Sequence, residues 1–353
     1  MRTPTRHPRL KVLLILPYAP AAFMQADLEL LGRHFELDVV VHDRGKRQLF
    51  WGILRRLWRS RPDVVLLWFI VPSYALALTV LGKVFGARIA FITGGYDVVS
   101  MPAIGFGALR YPLFRELLRP TLRLADLILP FSQSAAQQVY RAARPRRCQV
   151  IYPGVDTAFF TPEPGQAREP LAVTVSPITQ VAIRQKGLHT FVAAAALAPG
   201  VRFVLVGVSP DHSIASLRRI APANVEFIER FVPAAELRDL YRRAWCYVQA
   251  SAHEGFGIAV AEAMACGAVP VVTDCFSLPE VTGGLGEYIP LDDAPATAAA
   301  VQRAATASAP ERAACRARIS AHFPAERRER ELVAALRNLK PGANSPAAHR
   351  YIV

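Results

Sequence analysis

Acidic residues are scarce in the first part of this 353-residue chain. Residues 1–150 hold 9 Asp and Glu against 22 Lys and Arg, whereas residues 151–353 hold 19 against 20. The formal net charge of +14 therefore sits almost wholly in one half, and that half is expected to meet an anionic partner. Lysine is also rare, supplying only 5 of the 42 basic residues. The five cysteines (148, 246, 266, 275 and 315) form no CxxC pair and are odd in number, which excludes a disulfide frame or a zinc site. They read as reduced core thiols of a cytosolic protein. Despite the charge there is no zinc pattern, RNP-type aromatic sheet or other recognition motif, so no nucleic acid is expected as partner. Pro17 breaks the apolar stretch that follows the basic start, so a secretory leader is not expected. Val64–Gly82 is a run of 19 uncharged residues, long enough to span a bilayer. It opens as a β-branched and aromatic strand, Val64–Ile70, is broken at Pro72-Ser73 and continues as a helix to about Phe85. A buried strand followed by a helix is the expected reading.

A hydrophobic fraction of 52% with 20% charged residues supports packed cores, and the length suggests two domains. Strands are predicted at Lys11–Leu16, Leu37–His42, Val64–Ile70, Arg88–Thr93, Leu127–Phe131 and Gln149–Tyr152, with helical segments between most of them. Strand and helix in alternation imply βαβ units of a parallel, doubly wound α/β sheet. The stretch from Pro153-Gly154 to Pro170 has four prolines and two glycines and marks a boundary. The alternation then resumes, with strands at Ala172–Val175, Arg202–Val206, Val225–Phe227, Cys246–Gln249, Val269–Thr273 and Glu287–Ile289. Ala294–Ala317 reads as one helix and Glu326–Leu339 as a last amphipathic one. The expected organisation is an N-terminal Rossmann-like domain over 1–153 and a C-terminal one over 154–325. A helix and tail, 326–353, are expected to pack back towards the N-terminal domain. Ligands of such sheets bind at the carboxyl ends of the strands.

The densest local signal is Glu254-Gly-Phe-Gly-Ile-Ala-Val-Ala-Glu262-Ala-Met-Ala-Cys-Gly267, lying between two predicted strands. Gly255 and Gly257 allow the backbone to approach a ligand where a helix begins, and the free N–H groups there suit a phosphate. Glu262 is the only charged side chain from Phe256 to Cys266. A carboxylate among small apolar residues is costly without hydrogen-bond donors, and the paired hydroxyls of a ribose are natural ones. Glu254, before the helix, is placed to meet the other end of the same ligand or to cap the helix.

The two glutamates, eight positions apart and followed by Ala-Met-Ala-Cys-Gly and Val-Pro-Val-Val, resemble the Glu-x7-Glu element of retaining GT-B glycosyltransferases of family 4. Ile151-Tyr-Pro-Gly-Val-Asp156, Gln185-Lys-Gly-Leu188, Leu237-Arg-Asp-Leu-Tyr241 and Leu278-Pro-Glu-Val281 are similar to further elements of that family, in order. The resemblance covers most of residues 145–340. It implies the GT-B fold, two Rossmann-like domains facing a central cleft. It also implies transfer of a sugar from a nucleoside-diphosphate donor with retention, without metal or other cofactor, and no Asp-x-Asp motif is present. Lys186 would neutralise the departing diphosphate. The family's arginine five residues earlier is Val181 here, which leaves Arg184 as the nearest substitute. Glu254 would contact sugar hydroxyls at the reacting face, and Gly255, Phe256 and Gly257 would give backbone contacts. Glu262 would hold the ribose, and Phe231 and Val232 would flank the base. In the N-terminal half the sequence departs from the family. Pro17-Tyr-Ala-Pro-Ala-Ala-Phe23 stands where a Gly-Gly loop is usual, and Thr93-Gly-Gly-Tyr-Asp97 where many members carry a histidine. Asp97 could act on an acceptor hydroxyl or cap a turn. A nucleotide-sugar-binding protein without transferase activity, or a sugar-phosphate epimerase, is the competing expectation.

In the family's arrangement the N-terminal half receives the acceptor. Lys46–Arg61 interleaves Phe50, Trp51, Leu54 and Trp58 with six basic residues, and Met101–Leu124 mixes aromatics and arginines. Such helices suit an anionic membrane surface, although each can equally pack its apolar face on a sheet. The sequence expectation is a peripheral protein on the cytoplasmic face of a membrane, acting on a glycan or lipid-linked acceptor.

Overall fold

The structure is a computed structural model, and residues 9–42, 46–71 and 73–339 are described. The chain divides into two compact units. One comprises residues 1–100, 107–151 and 328–353, and the other residues 101–106 and 152–327. The division falls between Ile151 and Tyr152, and the C-terminal segment from Arg328 belongs with the first unit. Met101–Phe106 belongs with the second unit by contacts distant in sequence, which local patterning does not reveal.

The first unit contains β1 (Lys11–Leu16), α1 (Ala22–His34), β2 (Glu36–Val41), α2 (Lys46–Ser60), β3 (Val64–Trp68), α3 (Ala75–Val84), β4 (Arg88–Thr93), α4 (Pro112–Leu124), β5 (Leu127–Pro130) and α5 (Gln133–Ala142). Its five strands pair in the order β2-β1-β3-β4-β5, all parallel. The chain leaves β1 towards β2 and then returns to β3 on the other side. The topological switch, where such sheets bind ligands, is thus between β1 and β3. β3 is buried on both faces, as its unbroken apolar run requires. The uncharged run from Val64 thus resolves into β3 and α3, and among the described residues no helix is long and apolar enough to cross a membrane. On α2, Leu49, Ile53 and Leu57 recur at i, i+4 and i+8 and are buried in the sheet's core. That burial contributes about 1.5–3 kcal/mol per side chain. The opposite face exposes Trp51 and Trp58, each 64% accessible, together with Arg55 and Arg59.

Gln149–Tyr152 does not form the predicted strand. Gln149 donates to the carbonyl of Ile128 and Ile151 to that of Pro130, both at 3.0 Å. The N–H that would continue the ladder belongs to Pro130, which has none, so only an isolated bridge forms.

The second unit contains β6 (Glu169–Val175), α6 (Gln180–Gln185), α7 (Leu188–Ala196), β7 (Arg202–Val206), α8 (Ile214–Arg218), β8 (Val225–Ile228), α9 (Ala234–Arg243), β9 (Ala244–Gln249), α10 (Ile258–Ala265), β10 (Val269–Thr273), α11 (Leu278–Thr282), β11 (Glu287–Ile289), α12 (Ala294–Ala305) and α13 (Ala309–His322). α14 (Ala325–Arg337) begins in this unit and continues in the first. The six strands are parallel in the order β11-β10-β9-β6-β7-β8, with the switch between β6 and β9. The predicted helix Ala294–Ala317 is two. Ser308 and Glu311 form a reciprocal capping box and Pro310 sits in the first turn, so a new helix starts inside the alanine-rich stretch.

Guanidinium groups terminate much of this unit's backbone. Arg168 donates to the carbonyls of Tyr241, Ala244 and Cys266, at 2.8, 3.0 and 2.6 Å. Arg312 reaches those of Trp245 and Ala304, Arg316 that of Ala265, and Arg318 that of Glu280. Each satisfies carbonyl groups that a helix or strand end leaves open.

Candidate functional site

The site is built at the switch point of the second unit. β9 is apolar until Gln249, then the chain turns through Ser251, His253 and Glu254 into α10. α6 ends at Lys186, and Gly187 follows at φ +61° as the residue preceding α7. A Cβ on Gly187 would lie 2.0 Å from the carbonyl oxygen of Ala250, so only glycine lets the two segments meet. The amide of Ala252 donates to the Gln185 carbonyl at 2.8 Å, and Gln185 Nε2 to the His253 carbonyl at 3.2 Å. This junction brings Lys186 Nζ to 2.5 Å from Glu254 Oε1, joining residues 68 positions apart.

Glu254 is buried, and the hydroxyl of Ser251 donates to its Oε1 at 2.9 Å. Gln249 Nε2 donates to Ser251 Oγ, and the phenol of Tyr247 donates to Gln249 Oε1. Ser277 Oγ donates to the backbone carbonyls of Glu254 and Phe256, fixing the loop from the other side. The carboxylate is therefore held at one position by a chain of polar side chains running back into the sheet.

Gly257 precedes α10 with φ +98°, a conformation open to glycine. No side chain caps the helix, so its first amides are left without a side-chain partner. Glu262 lies further along α10 among buried Ala261, Ala263 and Met264. Its carboxyl has no hydrogen-bond or ion-pair partner among the described residues, and burial alone pushes it up to about 8. It is half-buried by surface, so the group is enclosed by protein yet still reachable from outside.

The remaining sequence candidates take different positions. Gly255 and Phe256 lie in the loop, with Phe256 packed against Tyr152 and Phe323. Arg184 is exposed near the end of α6 and forms no ion pair among the described residues. Val232 is buried, whereas Phe231 is 77% exposed in the loop after β8. Two strands, β6 and β7, separate β8 from β9. At about 4.8 Å per strand, Phe231 starts from about 14 Å across the sheet from the glutamate loop. Asp97, in the first unit, is closed off. It is 2% exposed, accepts from the amide of Ile70 at 3.1 Å and from that of Gly95 at 3.0 Å, and burial raises it to about 6. It is a backbone clamp between the exits of β3 and β4, in keeping with the cap that the sequence offers beside a role on an acceptor hydroxyl.

Sequence reasoning passed over His253, Ser251 and Gln249. The His253 ring is buried between Phe106 and Phe276, its Nδ1 lacks a partner, and burial lowers it to about 4, so it is neutral at physiological pH. The available signal was three polar residues at the carboxyl end of an otherwise apolar strand. Among the described residues no three His, Cys, Asp or Glu side chains converge as metal ligands.

Comparison with known proteins agrees with this arrangement. Residues 10–159 match the family model "Glycosyltransferase Family 4", and residues 169–307 match "Glycosyl transferases group 1". An alpha-maltose-1-phosphate synthase of Mycolicibacterium smegmatis is 30% identical over 187 residues, covering 46% of this chain and 47% of that protein. A D-inositol 3-phosphate glycosyltransferase of Segniliparus rotundus is 32% identical over 155 residues, 40% of this chain and 34% of that protein. The match thus spans less than half the length of these curated relatives. Among solved structures, Anabaena HepE in complex with UDP and glucose superposes with a TM-score of 0.75 at 16% identity, covering 93% of this chain and 99% of that one. Sucrose-phosphate synthase from Thermosynechococcus elongatus gives 0.72 at 19% identity, covering 93% and 99%. With both halves matched in order and two parallel α/β units in place, the chain belongs to the group 1, family 4 glycosyltransferases and has their GT-B fold.

Proposed function

We propose that this protein transfers a sugar from a nucleoside-diphosphate donor to a hydroxyl acceptor, with retention at the anomeric carbon and without a metal ion. The observation that carries this reading is the Lys186–Glu254 pair beside the uncapped start of α10, with the partnerless Glu262 on the same helix. The diphosphate would meet the α10 amides and Lys186, whose charge matters most as the leaving group departs. Arg184, two residues away, is exposed and unpaired among the described residues, so it could supply a second positive charge. Glu254, fixed by Ser251, would hold the sugar hydroxyls, and Phe231 is exposed to stack on the base. Because HepE binds UDP and UDP-glucose in its solved complexes, UDP-sugars are the first donors to assay. Transfer that persists in EDTA with α-configured product fits the reading. UDP binding without turnover of any nucleotide sugar would favour a binding protein, and interconversion of sugar phosphates an epimerase.

Glu262→Ala is expected to weaken UDP binding by about 1.5–3 kcal/mol, roughly 10- to 150-fold, through loss of a charge-assisted hydrogen-bond partner. Burial raises the free carboxyl to about 8, so it is protonated at neutral pH. Ribose hydroxyls favour the ionised form, so nucleotide binding at pH 7 should release a proton. Calorimetry in buffers of different ionisation heat reads that proton, and buffer-independent heats would remove Glu262 from the ribose site. Without ligand the raised value has the opposite consequence for folding. The stabilisation is complete below the ordinary carboxylate range and is lost as pH rises through about 8.

We infer further that the protein works at an anionic membrane surface on a lipid-linked or other anionic acceptor. Support comes from the outer face of α2, where Trp51, Arg55, Trp58 and Arg59 share one side of the helix. Arg56 does not join them, because its Nε donates to Asp38 at 3.1 Å. Cosedimentation with phosphatidylglycerol vesicles should fall steeply with salt and be lost in Arg55→Glu/Arg59→Glu. Equal binding to neutral vesicles, or none at low salt, would leave the tryptophan face without a membrane role.

A further inference from the structure

The carboxyl end of the first unit's sheet carries backbone strain at one residue. Phe69, directly after β3, has φ +65°, a region that bulky residues rarely enter. Its amide donates to the carbonyl of Ile92 at 2.9 Å, and the next amide, that of Ile70, is held by Asp97. The backbone is therefore fixed on both sides of the strained residue. The ring lies over Gly94, where a Cβ would come within 2.2 Å of Phe69 Cε1. Gly94 thus leaves space for an aromatic ring, and the second amide held by Asp97 is that of Gly95, the next residue. The ring rests edge-on against Trp68 and Phe131, with centroids 5.4 and 6.3 Å away. Tyr18, which follows β1, stands 6.5 Å from it and is 46% exposed. Two buried polar atoms without hydrogen-bond partners among the described residues, Trp68 Nε1 and Thr93 Oγ1, lie on the last residues of β3 and β4. All these costs gather where β1 and β3 diverge, the switch point at which open α/β sheets take ligands.

We propose that Phe69 and Tyr18 form a stacking floor for a pyranose ring of the acceptor, with Asp97 as the residue that positions it. The proposal rests on the glycosyltransferase reading and names the acceptor chemistry that reading leaves open. A pyranose offers C–H groups on one face and hydroxyls at its rim, which an aromatic floor bordered by backbone and phenol groups accommodates. Strain at Phe69 is then the cost of turning a ring out of the sheet's end instead of into its core.

Phe69→Gly removes the ring at a φ that glycine adopts freely, so the backbone is not challenged. Tyr18→Ala changes a half-exposed side chain and provides a second variant. The probes are octyl β-D-glucopyranoside, octyl β-D-galactopyranoside and octyl α-D-mannopyranoside in saturation-transfer NMR, with UDP binding measured by calorimetry on the same samples. In the wild type, saturation should reach the ring protons of at least one pyranoside. Both variants should lower it at least fivefold, with UDP affinity unchanged within twofold. Saturation confined to the octyl chain, unchanged in both variants or missing for all three sugars overturns the proposal. So does a loss of UDP affinity in Phe69→Gly, which would place the nucleotide on this floor. If the wild type binds pyranosides but not UDP, GDP or ADP, the donor reading fails while the floor stands.

Discussion

Lys186→Ala is expected to lower turnover by about 10²- to 10³-fold while changing UDP affinity by less than about tenfold. The ammonium is held 2.5 Å from Glu254, a buried carboxylate that also accepts from Ser251, and on the proposed reading it would meet charge that develops on a departing diphosphate. Loss of one such preorganised group costs about 2.7–4 kcal/mol in the transition state. Glu254→Gln preserves shape and the bond from Ser251 and should also lower turnover, with less effect on nucleotide binding than Glu262→Ala has. Single-turnover transfer and nucleotide calorimetry on the same preparations separate the two quantities. Equal losses in binding and turnover for Lys186→Ala would mean that it serves the ground state alone.

Arg328→Ala is expected to be the most destabilising simple substitution in the first unit, lowering the melting temperature by about 10 °C. Arg328 and Asp27 are 7% and 1% exposed and meet through two short hydrogen bonds, Nε to Oδ1 at 2.6 Å and Nη2 to Oδ2 at 2.5 Å. The guanidinium also donates to the Ile151 carbonyl and lies over the Phe131 ring. Removing it leaves a buried carboxylate unpaired, which costs about 3–5 kcal/mol. A folding unit of about 150–250 residues loses about 2–4 °C per kcal/mol. Asp27→Asn should recover part of the loss in the double variant, because the stranded charge is gone. A melting temperature within 2 °C of wild type in Arg328→Ala would show that the pair adds nothing net.

Much of this was legible in the residues. β3 and β10 read as buried strands because Val64-Val-Leu-Leu-Trp68 and Val269-Pro-Val-Val-Thr273 offer no polar face. Glu262 stood out because nothing around it could justify a charge, and its carboxyl has no hydrogen-bond or ion-pair partner among the described residues. Other features depend on partners far along the chain. Asp97 is equally suited by sequence to chemistry and to capping, and its hydrogen bond from Ile70, 27 positions away, is a contact that local sequence does not reveal. His253 is defined by Phe106 and Phe276, of which one lies 147 residues before it. The outward side of α2 was legible only in part. The spacing of Leu49, Ile53 and Leu57 gives its buried stripe, but Arg56 leaves the basic face because Asp38 draws it aside.

In the nearly neutral half of the chain, the carbonyl-capping arginines carry charge for a reason other than recognition. Arg168, Arg312, Arg316 and Arg318 donate to neutral carbonyl oxygens, and none of the four forms an ion pair among the described residues. Burial pulls Arg168 down only to about 10, so it remains cationic across the physiological range. Electrophoretic charge and recognition charge are thus different quantities in this molecule. A homologue that exchanged these arginines for lysines would migrate in the same way yet lose forked contacts to two or three carbonyls at once, because an ammonium cannot reproduce a planar fork. The preference for arginine over lysine is, in this unit, a demand of the backbone.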